Sequence, residues 1–121
     1  MGTFVIKETA TGYVFHLKAG NGETIGTSEV YSSKGACQKG IESVRNNADA
    51  KVEDQTAGES VTNPKFEIYL DKAGEFRFRL RASNGENILA SEAYVAKDSC
   101  KKGIESVRKN APDAEVVEKD K

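Results

Sequence analysis

Apolar and polar side chains alternate along several short stretches of the chain. "TFVIK" (3–7) and "KFEIYL" (65–70) keep this two-residue period, and "YVFHLK" (13–18) and "EFRFRLR" (75–81) keep it more strictly. Such alternation predicts half-buried strands. Tyr13, Phe15 and Leu17 fall on one face, as do Phe76, Phe78 and Leu80. "TIGTS" and "NILAS" predict a third strand in each half. Between second and third strands lie Asn21-Gly22 and Asn84-Gly85. Asn-Gly tolerates positive φ and predicts a tight type I′ reversal.

The period then changes. Cys37, Ile41, Val44 and Ala48 follow at steps of four, three and four, and Cys100, Ile104, Val107 and Ala111 repeat the pattern. That spacing places each set on one face of a helix. Ser32 or Ser33 can cap the first helix, whereas their counterparts Val95 and Ala96 cannot; Asp98 suits the second helix's first turn. Asn47 and Asn110 are the expected stops, and "AKVED" and "AEVVE" read as a short fourth strand.

The two halves are one phrase written twice. Shifted by 63 residues, Asn21–Ala48 matches Asn84–Ala111 at 18 of 28 positions. Upstream the offset is 62, pairing Phe4 with Phe66 and Ile6 with Ile68. Each unit is therefore β-β-β-α-β, with the first at 1–54, a polar linker at 55–64 ending in Asn-Pro, and the second at 65–121. A unit of about 55 residues with one helix buries little surface by itself. The expectation is one α+β domain, 1–121, in which two tandem repeats related by a pseudo-twofold share one antiparallel sheet and place both helices on one face. Gly40 and Gly103, inside the helices, are expected where a helix approaches the sheet or its twin closely.

Composition narrows the function classes. With 18 basic and 19 acidic side chains the net charge is −1, unlike a dedicated nucleic-acid binder. No stretch approaches the 18 apolar residues of a membrane span, and the start has no secretory pattern, so a cytoplasmic protein without membrane partners is expected. Two cysteines form no disulfide framework.

The motifs assembled so far resemble the YegP-like family of small bacterial and archaeal proteins of unknown function. The resemblance rests on Phe4 and Ile6, the aromatic second strand Tyr13–Leu17, "NGE" at 21–23, "SE-x-Y" at 28–31 and "GIESV" at 40–44, each with its second copy at 66–68, 76–80, 84–86, 91–94 and 103–107. It implies a tandem pair of units in one sheet with their C-terminal strands exchanged. It also implies one-unit members that reach the same arrangement as dimers, so this chain is expected to be a monomer whose second repeat replaces a partner. It brings no activity and no catalytic residues. The first hairpin, "KETATGY", is one residue shorter than "YLDKAGEF".

Candidate chemistry is sparse. Cys37 and Cys100 lie on the helix core stripe and read as buried hydrophobes rather than a redox pair. One His and two isolated Cys give no metal spacing, and no phosphate-loop or dinucleotide fingerprint occurs, so no cofactor is expected. His16 is out of phase with Phe15 and Leu17 and should face away from the helices. The most informative asymmetry is Arg77, Arg79 and Arg81, which project together from the outer sheet face. His16 and Lys18 stand at the places of Arg79 and Arg81, and Tyr69, Val14 and Leu89 are expected on the same face. Basic groups interleaved with an aromatic, with few acids beside them, could hold single-stranded nucleic acid or another anion weakly. The plainer reading is an exposed face kept soluble by charge, with Glu67 pairing across strands. The expectation is a non-catalytic binding or structural module, not an enzyme, with anion binding through the outer face as the alternative.

Overall fold

The computed structural model describes residues 2–119. The first unit contains β1 (Thr3–Glu8), β2 (Tyr13–Lys18), β3 (Thr24–Thr27), α1 (Lys34–Asn47) and β4 (Lys51–Asp54). The second contains β5 (Lys65–Leu70), β6 (Phe76–Arg81), β7 (Asn87–Ser91), α2 (Lys97–Asn110) and β8 (Glu115–Lys119). One sheet of eight strands runs β4-β5-β6-β7-β3-β2-β1-β8. The C-terminal strands are exchanged: β4 of the first unit pairs with β5 of the second, and β8 of the second pairs with β1 of the first.

The sheet is mixed rather than wholly antiparallel. Both exchanged pairs, β4·β5 and β1·β8, run parallel, while the other neighbours are antiparallel. Each exchanged strand follows a helical crossover that carries the chain from mid-sheet to the far edge, where it lies beside the first strand of the other unit. At the seam, β3 meets β7 through Thr27↔Ala90, residues that hold the same place in the two copies.

One core joins both copies. Phe4, Phe15, Leu17, Phe66, Phe78 and Leu80 are fully buried from the sheet side, and Cys37, Ile41, Val44, Cys100, Ile104 and Val107 from the helices. Phe4 and Phe15 meet edge-to-face with centroids 5.7 Å apart, and Phe66 and Phe78 repeat the contact at 6.0 Å. Arginines clasp the exchanged strands: Arg45 donates to the Ala114 carbonyl, and Arg108 donates to that of Ala50 at 2.7 Å.

Local features follow the chain's chemistry. Ser33 caps α1 by accepting from the Ala36 amide at 3.1 Å, whereas Ala96 gives α2 no side-chain cap. A Cβ on Gly40 would lie 2.4 Å from the Tyr31 hydroxyl oxygen and 3.1 Å from Phe15, and one on Gly103 would lie 2.6 Å from the Tyr94 oxygen and 2.8 Å from Phe78. These glycines thus admit the aromatic pair of their own unit, not the twin helix. The Asn-Gly reversals occur where expected but are not type I′. The Gly22 amide donates to the Ala19 carbonyl, and the positive φ of 87° falls on Gly22. Gly20 and Asn21 are therefore the central pair, and Asn21 instead bonds the Glu23 amide through its side chain. The linker makes one 3-10 turn, Gln55–Ala57, closed by Gly58, and Asn63-Pro64 is cis.

Candidate functional site

On the face opposite the helices, one row of side chains crosses all eight strands. The row reads Val117, Val5, His16, Thr27, Ala90, Arg79, Glu67, Glu53. Its second-unit half is ionic. Glu67, with its side chain only 5% exposed, accepts from Arg79, from Arg81 at 2.8 Å and from Lys65 at 3.2 Å. Burial alone would raise the Glu67 carboxyl, but those hydrogen bonds outweigh it and hold it below the usual range. Glu53 accepts from Lys65 at 2.8 Å, from Gln55 and from the Val61 amide, and these bonds hold it at about 2. Arg77 donates to Asp71 at 2.8 Å, and the Arg79 guanidinium lies 4.2 Å from the Tyr69 ring centre.

The three arginines therefore project together as expected, but acids stand beside them. The expectation of a basic row with few acids is corrected: Glu67, Glu53 and Asp71 consume most of its field. Nor do all the candidates assemble. His16 and Lys18 are on β2, separated from the arginines of β6 by β3 and β7, so His16 and Arg79 are roughly 14 Å apart at the usual strand spacing. Leu89 is not on this face. It pairs with Leu80, is fully buried under the helices, and fills the space left open by Gly26. His16 shares a hydrogen bond with Thr27 Oγ1 at 2.9 Å, and burial, then Lys18 and Lys7, push it below its ordinary value. Around it Val5, Val14 and Val117 make the first-unit half apolar, with Val117 41% exposed.

The helix side holds a different site, which the strand pattern did not reveal. A groove of about 370 Å³ lies between α2 and the β2–β3 turn of the other copy. Ala19, Glu23, Thr24 and Ile25 form one wall, Ser99, Lys102, Gly103 and Ser106 the other, with Glu92 and Tyr94 between them. "NGE" of the first copy thus meets "SE-x-Y" and "GIES" of the second. The Tyr94 phenol is raised by burial first, then by Cys100, Glu92 and Glu23, so both carboxylate charges reach it. At the other end of the molecule Tyr31 is raised by burial, Cys37, Glu86 and Glu29, the same set with the copies reversed. A larger groove of about 560 Å³ runs along β4 and α2, but Asp54 within it is occupied by Lys97 and Thr56.

Comparison of the two copies separates these surfaces. On the outer face the matched pairs Val5/Glu67, Val14/Arg77, His16/Arg79, Lys18/Arg81, Thr27/Ala90 and Val117/Glu53 all differ. In the groove, eight of the ten lining residues are the same in both copies, Thr24/Asn87 and Ser99/Ala36 being the exceptions. Most polar residues shared between copies have visible structural duties. Asn21 and Glu23 bond within their turn, Ser28 holds the Phe15 amide, Lys34 pairs with Glu118, Glu42 with Arg45, and Asn47 bonds Ser43. Glu29/Glu92 and Lys39/Lys102 are shared and exposed, yet among the described residues their side chains have no hydrogen-bond or ion-pair partner. Glu92 and Lys102 line the same groove. The signal was available in the sequence as retained polar pairs, but only the structure removes those with a structural duty.

With this geometry in view, comparison with known proteins places the chain. A family described as a domain of unknown function, DUF1508, matches residues 9–54 and again 71–118. The chain belongs to the DUF1508 family. A curated relative from Stutzerimonas stutzeri, a UPF0339 protein in the ptx operon 5' region, is 41% identical over 120 residues, 97% of this chain and 96% of the relative. A UPF0339 protein of Treponema denticola is 68% identical over 54 residues, 45% of this chain but 93% of its own length, so it corresponds to a single unit. The solution structure of yegP from E. coli, a protein of unknown function, superposes with a TM-score of 0.81 at 36% identity, covering 98% of this chain and 93% of that one. A UPF0339 protein from Shewanella oneidensis gives 0.80 at 28% identity, covering 98% and 92%. The YegP-like resemblance and the tandem fold that it implied are thereby established, and the family brings no activity with it.

Proposed function

We propose that this DUF1508 protein is a non-catalytic binding module, cytoplasmic and monomeric, whose ligands enter the grooves between each helix and the other copy. One observation carries the reading: Glu29/Glu92 and Lys39/Lys102 are kept in both copies, exposed, and without a hydrogen-bond or ion-pair partner among the described residues. Charged side chains with no structural duty are free to drift after duplication, and the outer face shows how far the two copies have diverged. Retention at a concave surface of converging polar groups is what a binding site requires. The chemically reactive groups are placed for packing instead. Both thiols are fully buried, with burial raising Cys37 and pushing Cys100 up to about 11, so neither is a ready nucleophile. Free thiols in the core suit a reducing compartment. Strand exchange within one chain supports the monomer, since each copy already supplies what a second subunit would.

Amide chemical-shift mapping of the full chain against a broad small-molecule library tests the reading. Shifts should cluster at Glu92, Lys102 and Gly103 or at their counterparts Glu29, Lys39 and Gly40. Shifts confined to the outer face overturn it. A second reading, weak anion binding through the outer face, draws on Lys7 and Lys18 beside the arginine row. The ion pairs at Glu67 and Asp71 reduce its field, and retention on heparin at low salt measures what is left.

A further inference from the structure

We infer that each groove holds a small zwitterion, with an ammonium group received by Glu23 and Glu92 over Tyr94 and a carboxylate received by Lys102 with the hydroxyls of Ser99 and Ser106. This inference rests on the binding-module reading and specifies its ligand.

The lining carries both signs of charge. Glu23 comes from the β2–β3 turn of one copy and Glu92 from the strand-to-helix connection of the other, and both act on the Tyr94 phenol. Two carboxylates brought to one wall of the groove favour a cation there through their charge. Glu23 already accepts from the Asn21 amide group at the second turn position, a neutral donor that leaves its charge intact. Opposite, Ser99, Lys102 and Ser106 recur at steps of three and four on α2 and so share one helix face. An ammonium with adjacent hydroxyls is a carboxylate receptor. Between the poles, Ile25, Ala19 and the bare Gly103 make an apolar floor. A volume of about 370 Å³ accommodates a free amino acid or a dipeptide. A simple diamine would leave Lys102 facing a like charge, and a simple diacid would face Glu23 and Glu92.

The same three groups recur at the other end as Glu29, Glu86 and Tyr31, with Lys39 and Ser43 in the matching helix positions. The inference extends to these groups as a second site. Ala36 stands where Ser99 would be, so the site at Tyr31 has one hydroxyl fewer and binds more weakly.

The test is a shift titration of the full-length labelled chain with glycylglycine, with putrescine and succinate as probes of one charge sign. Glycylglycine should move the amides of Glu92, Gly103 and Ser106 saturably, with a weaker second set around Tyr31, and both control probes should bind at least tenfold more weakly. Glu92→Gln and Lys102→Gln, both exposed and without a hydrogen-bond or ion-pair partner among the described residues, should each weaken the first site about tenfold or more while leaving the second unchanged. Equal binding of putrescine or succinate, or no effect of either substitution, overturns the zwitterion inference. In that case groove shifts from any other compound class leave the binding-module reading standing. Absence of groove shifts with glycylglycine and with the whole library overturns both.

Discussion

The seam between the copies depends on one large side chain facing none. Gly26 and Leu89 occupy the same place in their units and both point at the helices, and a Cβ on Gly26 would lie 2.8 Å from Leu89 Cγ, 3.0 Å from its Cδ1 and 3.1 Å from the Ala90 carbonyl oxygen. Gly26→Ala should therefore overpack the seam at a cost of about 1–3 kcal/mol. Leu89→Ala deletes a fully buried side chain and should cost about 2–5 kcal/mol, a large share of the roughly 5–15 kcal/mol that holds a domain folded. In the double variant the clash with Leu89 is gone, and the added methyl partly refills the space. The double loss should therefore fall short of the sum of the singles by about 1–3 kcal/mol. Urea titrations of the four proteins, checked for a common m-value, measure this coupling directly. Losses that add to within about 0.5 kcal/mol would show that the two positions do not share a packing site, and the account of the seam would fail.

Four further outcomes are expected. A chain ending at Gly58 loses the partners of β1 and β4 together and should sediment as a dimer or show no cooperative melt, whereas a stable monomer would refute the shared core. Cys37 and Cys100 should react slowly with a thiol dye in the native state and fully once denatured, because both are buried and protonated at neutral pH. Since Glu53 and Glu67 titrate lower in the folded state than in the unfolded chain, the unfolded state takes up protons first as pH falls. For Glu53 that stabilisation, complete above about 4.5, should be lost towards about 2, with Glu67 adding to the loss in the same direction, and Glu53→Gln should flatten that limb of the stability curve. Replacing Arg77, Arg79 and Arg81 together with Gln should lower the melting temperature, because Glu67 keeps only Lys65, and unchanged stability would show the outer-face pairs to be idle.

Much of the fold was legible because periodicity is a local property. The strand and helix faces followed from spacing alone, and the unit boundaries followed from the repeat. What spacing could not supply is which strand lies beside which. Exchange of β4 and β8 and their parallel pairing depend on where each helix delivers the chain, a non-local fact that entered only through family resemblance. Leu89 was misplaced for a related reason. In "NILAS" both Ile88 and Leu89 are apolar, so alternation gives no phase, and the β6–β7 register shift between Leu80 and Arg81 changes what a simple count would align. Sequence put the arginines of "FRFRLR" on one face, yet their meaning depended on Glu67, which sits on another strand and is drawn among them by pairing.

The two surfaces differ in what duplication allowed them to become. In a symmetric pair of identical units every position must suit both copies, but a tandem chain is free to alter one alone. It has done so at the seam, where Gly26 meets Leu89, and across the outer face, where Glu67 and Arg79 replace Val5 and His16. Those changes compensate one another within the fold: a missing side chain is filled by a large one, and a buried carboxylate is met by arginines. Glu29/Glu92 and Lys39/Lys102 have no hydrogen-bond or ion-pair partner among the described residues, although the Glu92 charge reaches Arg77 and His16. No hydrogen bond or ion pair among the described residues accounts for their persistence through a divergence that rewrote the opposite face. We propose that the constraint is a ligand of the groove at α2, which would meet there one pair of acids and one amine.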